Sequence, residues 1–453
     1  MADIKTLPDK TRLKVVYRKT NDLIPYAGNA RTHNDKQIAQ IAASIRAFGF
    51  ANPVLVDSDG GILAGHGRVA AAKLLGMEMV PTIGLAHLSA AERRAYVIAD
   101  NRLAELAGWD REILKIELEA LADLDLNFEL EITGFETAEL DILLDDDIRE
   151  GADDPADATP APEEGPAVTR PRDIWHLGRH ALICGDARDP SIYAALMGEE
   201  RAQAVFTDPP YNVKIDGHVC GSGTVKHHEF AMAAGEMDSD TFTAFLKASL
   251  GAMVDISHDG AIHFVCMDWR HMAELQAAGS KVYSELKNLC VWAKTNGGMG
   301  TFYRSRHELI YVWKVGTAPH TNTFGLGEKG RYRTNVWDYP GVNGFGGNQQ
   351  DLALHPTVKP VALVADAIRD VTRRGDTVLD GFGGSGTTLI AAERCGRVAR
   401  LVELDPVYCD VICRRYAALT GDDAFLAGTG ETFAAAAERR ADEVQPPEAE
   451  VAE

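Results

Sequence analysis

The sequence predicts an α/β protein in which a doubly wound, parallel sheet follows a smaller α+β module. Three observations predict this fold class. Five strand-like runs (ALICGD, AQAVFTD, AIHFVCM, DTVLD and VARLVEL) alternate with helical stretches after about residue 170. Shorter strand-like and helical segments are mixed in the first 145 residues. An acidic stretch from Asp145 to Pro171, almost free of large apolar residues, separates the two parts.

The first part shows local signals for three helices and two strands. Apolar residues from Ile38 to Phe48 recur at helical spacing, which predicts an amphipathic helix. The runs NPVLVD and GGILAG predict two short strands around a turn at residues 58–61. A second helix is predicted from Val69 to Leu75, ending at Gly76, and a third from about Ser89 to Leu106.

Composition divides the chain into four segments. Residues 146–169 are rich in Pro, Ala, Gly and acidic residues, and such a segment buries too little apolar surface to offset its ordering entropy. We therefore predict a disordered linker there, and a frayed helix with a disordered end in the Ala/Glu-rich tail. The predicted segments are an α+β domain over 1–145, the linker over 146–169, the larger α/β domain over 170–420 and an acidic tail over 421–453.

Composition also excludes several classes of protein. The 453 residues are 45% hydrophobic and 25% charged, which is ordinary for a globular protein. No apolar run approaches the roughly 18 residues of a membrane span, and the start of the chain has no signal-type stretch. The seven cysteines include no C-x-x-C pair, which favours a reducing cytoplasm over a disulfide framework, and no metal site is implied.

The net charge of −21 does not exclude a nucleic-acid partner, because the charge is unevenly distributed. The linker region and the tail hold most of the negative excess. Residues 281–335 carry nine Lys or Arg against three Glu, and DNA binding depends on such a local cationic face.

The first chemical motif is Asp208-Pro209-Pro210-Tyr211, directly after the strand-like run AQAVFT. Ligands of open α/β sheets bind beyond the carboxyl ends of the strands. Two prolines fix φ and remove backbone donors, which leaves carbonyls and the Asp208 carboxylate as acceptors. Acceptors alone suit an exocyclic amino group, and Tyr211 offers a flat face on which a base can stack.

The second motif is the glycine-rich string that runs from Asp380 to Thr388 between a strand and a helix. Its glycines permit a tight turn and a close approach of the backbone to a nucleoside-type cofactor. Glu403 follows the next strand, where an acid can accept hydrogen bonds from ribose hydroxyls. The pattern fits NAD as well as S-adenosylmethionine, and no Lys follows the glycines as in a phosphate-binding P-loop.

A third string, His355-Pro356-Thr357-Val358-Lys359-Pro360, precedes the helix before that strand. In this order the strings resemble the β-arrangement amino-group DNA methyltransferases, over about residues 170–418. The resemblance implies a Rossmann-like S-adenosylmethionine methyltransferase domain with Asp208, Pro209, Pro210 and Tyr211 as catalytic residues. It further implies a set of cofactor-binding residues: Asp186 near the adenine, Lys359 near the carboxylate, Glu403 at the ribose, and Asp380, Phe382, Gly384, Gly386 and Thr387 in the methionine-side loop. Gly381 stands where the family usually has Pro.

The same resemblance places a target-recognition segment at residues 316–354. Its basic and aromatic residues suit phosphate contact and insertion into an opened duplex. An ordinary surface loop is the alternative for this segment. The predicted DNA-binding residues are Lys294, Arg304, Arg306, Arg331 and Arg333.

The first module resembles the ParB/sulfiredoxin-type domain over about residues 13–105. The string Gly65-His66-Gly67-Arg68 matches that superfamily's phosphate-binding helix start, and a glycine-rich helix N-terminus with an Arg is suited to anions. The resemblance implies that Gly65, Gly67 and Arg68 bind a nucleotide, CTP in particular, or a DNA phosphate. A purely structural or DNA-docking role is an equal alternative, and we expect His66 to be structural.

Together these observations predict a site-specific DNA methyltransferase that flips an adenine from double-stranded DNA and methylates its N6 amino group. N4-cytosine methylation is the nearest alternative, because cytosine offers a similar amino group. Two further alternatives are a ParB-like, nucleotide-dependent DNA-binding protein with a methyltransferase docking module, and an RNA or protein methyltransferase. The resemblance also implies a homodimer and a restriction-modification context. It does not identify a partner nuclease or a recognition sequence.

Overall fold

The computed structural model describes residues 13–122, 124, 128–144, 154–163, 165–212, 235–295, 302–324, 332–341 and 358–444. The chain divides into two compact units, Met1–Leu144 and Asp145–Glu453, called here the N-terminal and C-terminal units. No helix among the described residues is long and apolar enough to cross a membrane.

The N-terminal unit is a four-stranded sheet with helices. Its order is β1-β4-β2-β3, in which β2 and β4 are parallel and the other pairs antiparallel. Val54, Val56, Ile62, Val69 and Val80 form the centre of its core. The elements are β1 (Val15–Lys19), α1 (Asp35–Phe48), β2 (Val54–Val56), β3 (Ile62–Ala64), α2 (His66–Leu74), β4 (Met79–Gly84), α3 (Ala90–Glu105), α4 (Arg111–Ala122) and α5 (Thr137–Leu144).

The predicted helices and strands of this unit are confirmed, and their ends follow from side-chain caps. The Asn34 side chain accepts the Gln37 backbone N–H at 2.8 Å and begins α1. Ser89 and Glu92 form a reciprocal capping box at the start of α3. The apolar pattern alone did not predict β1, β4, α4 or α5.

The C-terminal unit is built on a ten-stranded sheet in the order β11-β9-β10-β8-β7-β12-β13-β6-β5-β14. The five central strands from β8 to β6 are parallel, which confirms the predicted α/β class. The strands are β5 (Ile174–Leu177), β6 (His180–Cys184), β7 (Ala202–Thr207), β8 (Ser257–Met267), β9 (Glu285–Ala293), β10 (His307–Lys314), β11 (Val336–Asp338), β12 (Thr377–Asp380), β13 (Val398–Glu403) and β14 (Ala424–Leu426). The helices are α6 (Pro190–Met197), α7 (Ser239–Asp255), α8 (Met272–Val282), α9 (Val361–Val371), α10 (Thr387–Arg394), α11 (Pro406–Thr420) and α12 (Phe433–Val444).

Two hydrophobic clusters cover the two faces of this sheet. Leu182, Phe206 and Leu401 belong to one cluster, while the alternate residues Ile183, Val205 and Val402 belong to the other. Burial on both faces explains the nearly continuous apolar runs in these strands. Because the central strands are parallel, the carboxyl ends of β6, β7, β12 and β13 lie at one edge of the sheet.

The predicted disordered linker over 146–169 is wrong for the described residues from Asp154 onward. The Asp154 carboxylate pairs with Arg394, and the Asp157 carboxylate accepts the Val361 backbone N–H at 2.7 Å. Thr169 donates to the Asp410 carboxylate at 2.6 Å. The acidic composition suggested disorder because the partners of these carboxylates lie more than 200 residues away in sequence.

The predicted acidic tail over 421–453 is also incorrect in part. Strand β14 pairs with β5 and completes the sheet, and the Phe433 ring packs 5.2 Å from Trp175. Arg440 is buried and donates to the Asp173 carboxylate at 2.5 Å. Helix α12 is therefore held against the C-terminal unit, whereas residues 445–453 lie outside the described residues.

Candidate active site

The Asp208–Tyr211 string leaves the carboxyl end of β7. Its geometry is fixed by the next residue, Asn212, which has a φ of +54°. The Asn212 side chain donates to the Met237 carbonyl at 2.8 Å and accepts the Met237 N–H at 3.2 Å. This clamp stabilises a left-handed residue that Asn tolerates better than most. Asp208 thus projects at the edge of the sheet, partly exposed.

Both carboxylate oxygens of Asp208 are engaged. The Tyr211 hydroxyl donates to Oδ1, and the Lys359 ammonium lies 2.5 Å from Oδ2. Burial raises the pKa of Asp208, the Lys359 charge opposes that rise, and the negative charge of Glu308 adds to it. Lys359 was predicted to lie near the cofactor carboxylate, but its ammonium contacts the Asp208–Tyr211 string.

Glu308 and Lys294 complete this network, and sequence reasoning assigned Glu308 no role. Glu308 lies at the start of β10, where one oxygen is 3.0 Å from the Lys359 ammonium and the other pairs with Lys294. Burial opposes the ionisation of Glu308, but the positive charges of Lys359 and Lys294 outweigh this effect and lower the pKa of Glu308 to about 2. An acid at the start of the apolar run LIYVW was the only sequence signal for this residue.

The glycine-rich string turns sharply between β12 and α10. The buried Asp380 carboxylate accepts from the hydroxyls of Thr207 at 2.8 Å and Thr388 at 2.7 Å, and from the Phe382 N–H at 3.0 Å. Burial raises the pKa of Asp380 to about 7 despite these bonds. Thr207 ends β7, so this carboxylate ties the glycine string to the strand that carries Asp208.

Glu403, at the end of β13, closes the other side of the glycine string. Its oxygens accept the Gly384 N–H at 2.7 Å and the Asp405 N–H at 2.8 Å. Burial raises its pKa to about 7. An ionised carboxylate has about four acceptor positions, so two remain for the hydroxyls of a ribose. Gly386, with a φ of +84°, begins α10 in a conformation that favours glycine. These groups fit a nucleoside cofactor.

The remaining predicted cofactor residues lie at the same edge, with different partners. Asp186, after β6, binds the Arg188 guanidinium through both oxygens, which lowers its pKa. The Phe382 ring packs 5.9 Å from Phe245. Thr387 accepts from the buried Arg415 at 3.2 Å, so its hydroxyl is part of the internal packing.

The predicted DNA-binding residues fall into three situations. Arg304 and Arg306 are exposed in the segment that precedes β10. Lys294 is paired with Glu308, and Arg331 lies outside the described residues. Arg333 corrects the prediction: it bonds Asp370 at 3.0 Å and Asp366 at 3.2 Å, so its guanidinium serves internal packing. The target-recognition segment is described only at residues 316–324 and 332–341.

The predicted anion site of the N-terminal unit has the expected backbone. Gly65 has a φ of +98° and lies directly before α2. The Arg68 guanidinium donates to the Asn52 carbonyl at 2.9 Å, and burial lowers its pKa. His66 accepts the Tyr26 N–H at 3.2 Å, and burial lowers the pKa of its imidazole. These contacts suit a neutral His66 with a packing role.

The fold and the site define a class of α/β enzymes that bind a nucleoside cofactor at the carboxyl ends of the parallel strands, beside a cluster of hydrogen-bond acceptors. Comparison with protein families places the chain within that class. A family profile of DNA methylases matches residues 202–414, that of the ParB N-terminal domain matches 9–101, and that of the ParB-methyltransferase HTH domain matches 112–171. The chain therefore carries a DNA methylase domain behind a ParB-like N-terminal domain: it is an S-adenosylmethionine-dependent DNA methyltransferase, and its substrate is DNA.

Individual relatives match each part separately. The ParB-like nuclease domain-containing protein YnaK of Escherichia coli K12 is 55% identical over 78 residues, covering 17% of this chain and 90% of YnaK. The type II methyltransferase M2.MboI of Moraxella bovis is 24% identical over 227 residues, which cover 48% of this chain and 81% of M2.MboI. The chain is also similar to the structure of the DNA modification methylase TTHA0409 from Thermus thermophilus with S-adenosyl-L-methionine. The sequence identity is 25%, the TM-score is 0.37, and the match covers 53% of this chain and 93% of TTHA0409.

Proposed function

We propose that this methyltransferase acts on the exocyclic N6 nitrogen of an adenine flipped out of double-stranded DNA. The observation that carries the proposal is the position of Asp208: an acceptor at the carboxyl end of β7, joined through Thr207 and Asp380 to the glycine string. Asp at this position leans towards adenine in the family that the sequence resembles, whereas Ser leans towards cytosine.

Asp208 and the Pro209 carbonyl accept the two amino hydrogens of the target base. This draws the nitrogen towards sp³ geometry and frees its lone pair. Pro210 stiffens the string, and the Tyr211 ring stacks on the base. Tyr211 and Lys359 each occupy one acceptor position of the Asp208 carboxylate, and an ionised carboxylate has about four, so positions remain for the amino group of the base.

The proposed cofactor residues surround the glycine string. Glu403 holds the ribose hydroxyls, Asp186 lies by the adenine ring, and the loop holds the methionine side through Asp380, Phe382, Gly384, Gly386 and Thr387. When bound, S-adenosylmethionine would supply a sulfonium methyl group to this nitrogen; the electron pair of the broken C–S bond would stay on sulfur, and the proton that the nitrogen loses would pass to water.

Arg304 and Arg306 contact DNA phosphates, and Gly65, Gly67 and Arg68 bind a nucleotide such as CTP or a DNA phosphate. A homodimer, a restriction-modification context and a cytoplasmic location remain part of the same proposal.

The direct test uses labelled S-adenosylmethionine and plasmid DNA from a strain without DNA methyltransferases. After transfer, the DNA is digested to nucleosides and separated. We expect the label in N6-methyl-2′-deoxyadenosine. Label in N4-methyl-2′-deoxycytidine would contradict the adenine assignment, while label only in added RNA or protein would contradict the proposed target.

A further inference from the structure

Lys359 is more closely tied to Asp208 than to any residue of the glycine string. Its ammonium lies 2.5 Å from Asp208, 3.0 Å from Glu308 and 3.2 Å from the Tyr211 hydroxyl. The side chain is only 5% exposed, and the Trp292 ring centroid is 5.9 Å from the ammonium. A flexible lysine held by three polar partners and an aromatic ring has a single position.

The positive and negative side chains of this cluster alternate from Lys294 to Asp208. Lys294 pairs with Glu308, and Lys359 lies between Glu308 and Asp208. Among the described residues, Asp208 therefore pairs with a single cation, whereas Glu308 pairs with two. A partly enclosed carboxylate that loses its only cation beside a second carboxylate becomes protonated more readily.

We propose that Lys359 is a positioning residue for methyl transfer, which keeps Asp208 ionised and able to accept one amino hydrogen of the target base. Glu308, anchored by Lys294, holds Lys359 in place. This inference rests on the proposed function and differs from the family-based assignment of Lys359 to the cofactor carboxylate. A protonated Asp208 would present a donor to an amino group that itself offers only donors, and the contact would fail.

Two neighbouring substitutions test this proposal because they act in opposite directions. Lys359→Met keeps the length of the side chain but removes the cation, so the pKa of Asp208 rises. Glu308→Gln removes the neighbouring negative charge but keeps an amide oxygen that can accept from Lys359, so Lys359 stays in place and the pKa of Asp208 falls. General misfolding cannot produce opposite shifts. Lys359→Arg, which keeps the charge, is the conservative control.

The measurement is kcat for plasmid methylation by the full-length protein against pH, with cofactor and DNA saturating. We expect the acid limb of Lys359→Met to move up by about one pH unit or more, that of Glu308→Gln to move down, and that of Lys359→Arg to stay. Among the described residues, the other titratable groups facing the cluster are Cys266 on β8 and Asp380, the last residue of β12. Neither is altered by these variants.

Calorimetry of S-adenosylmethionine binding separates the two roles of Lys359. We expect the three variants to bind the cofactor within twofold of wild type. If the acid limb of the kcat profile is the same in Lys359→Met as in wild type, the role of Lys359 is structural. If Lys359→Met binds the cofactor tenfold more weakly, its role is to bind the cofactor. Either result would overturn the proposal. A wild-type protein that forms no N6-methyladenine would instead contradict the proposed function. The role of Lys359 would then be tested by the same pH profiles, measured for the base that is methylated.

Discussion

At the scale of single residues, Glu403 is the carboxylate that we propose to link the backbone and the cofactor. It accepts N–H groups from both the glycine string and the segment after β13. We expect Glu403→Gln to weaken S-adenosylmethionine binding by about 1.5–3 kcal/mol, because an amide presents only one acceptor oxygen to the backbone and the ribose. Calorimetry measures this loss. Glu200→Gln, at an exposed ion pair, is the control.

The ionisation of Glu403 should also make cofactor affinity depend on pH. The pKa of Glu403 is about 7, and its ionised form is the better acceptor, so cofactor affinity should rise from pH 6 to pH 8 by about tenfold. Asp380 titrates in the same range. Glu403→Gln should therefore flatten the profile and leave only the slope from Asp380. A wild-type affinity independent of pH would contradict this account.

Sequence reasoning located Asp208, Asp380 and Glu403 because motif and strand end coincide. It did not find the network around Asp208, since Glu308 lies 100 residues away and shares no motif with it. It also could not foresee that Arg333 is held by Asp366 and Asp370. Such pairings depend on which strands become neighbours, and a single sequence does not report that order.

At the scale of elements, the segment before β10 is the candidate for DNA contact. Arg304 and Arg306 are exposed there, two to four residues before Glu308. We expect Arg304→Ala/Arg306→Ala to reduce the slope of log affinity against log salt by about 1.8, one phosphate contact for each arginine. Titrations of labelled duplex DNA at several salt concentrations give the slope.

The matched control for this prediction is Arg439→Ala, which removes an arginine from α12. It should leave the slope unchanged. If the double variant also binds with an unchanged slope, the DNA-contacting surface lies elsewhere.

The element scale also shows where sequence prediction succeeds and fails. Helices α1 and α3 and strands β6, β7, β12 and β13 follow from periodicity, caps and apolar runs. The segment from Asp154 to Thr169 does not, because its order comes from single contacts such as Asp154 with Arg394 and Asp157 with Val361. Low hydrophobicity predicts disorder only where no such partners exist.

At the scale of the whole molecule, we propose that the N-terminal unit helps the methyltransferase domain to find DNA. A truncated chain of residues 145–453 should then show a higher KM for DNA with a smaller change in kcat. Steady-state kinetics at limiting and saturating DNA measures both. Equal kinetics for the truncated and full chains would contradict a DNA-locating role.

The starting point of the truncation matters. A chain beginning at Pro166 loses Asp154, which pairs with Arg394, and Ala156, whose carbonyl accepts from the buried Arg415 at 2.8 Å. Each hydrogen bond to a charged group that is lost in this way costs about 1.5–3 kcal/mol. We expect thermal unfolding of the 166–453 chain at a clearly lower temperature than that of the 145–453 chain. Equal unfolding temperatures would mean that residues 154–165 contribute nothing to the C-terminal unit.

We propose that Asp208 accepts from the amino group of the target base and takes no part in holding the cofactor. The most direct test measures methyl transfer to DNA and S-adenosylmethionine affinity in Asp208→Ala. We expect transfer to fall by about 100-fold or more, as for removal of one transition-state contact, with cofactor affinity within twofold of wild type. Full methyl transfer in Asp208→Ala, or cofactor affinity lost in parallel with activity, would contradict it.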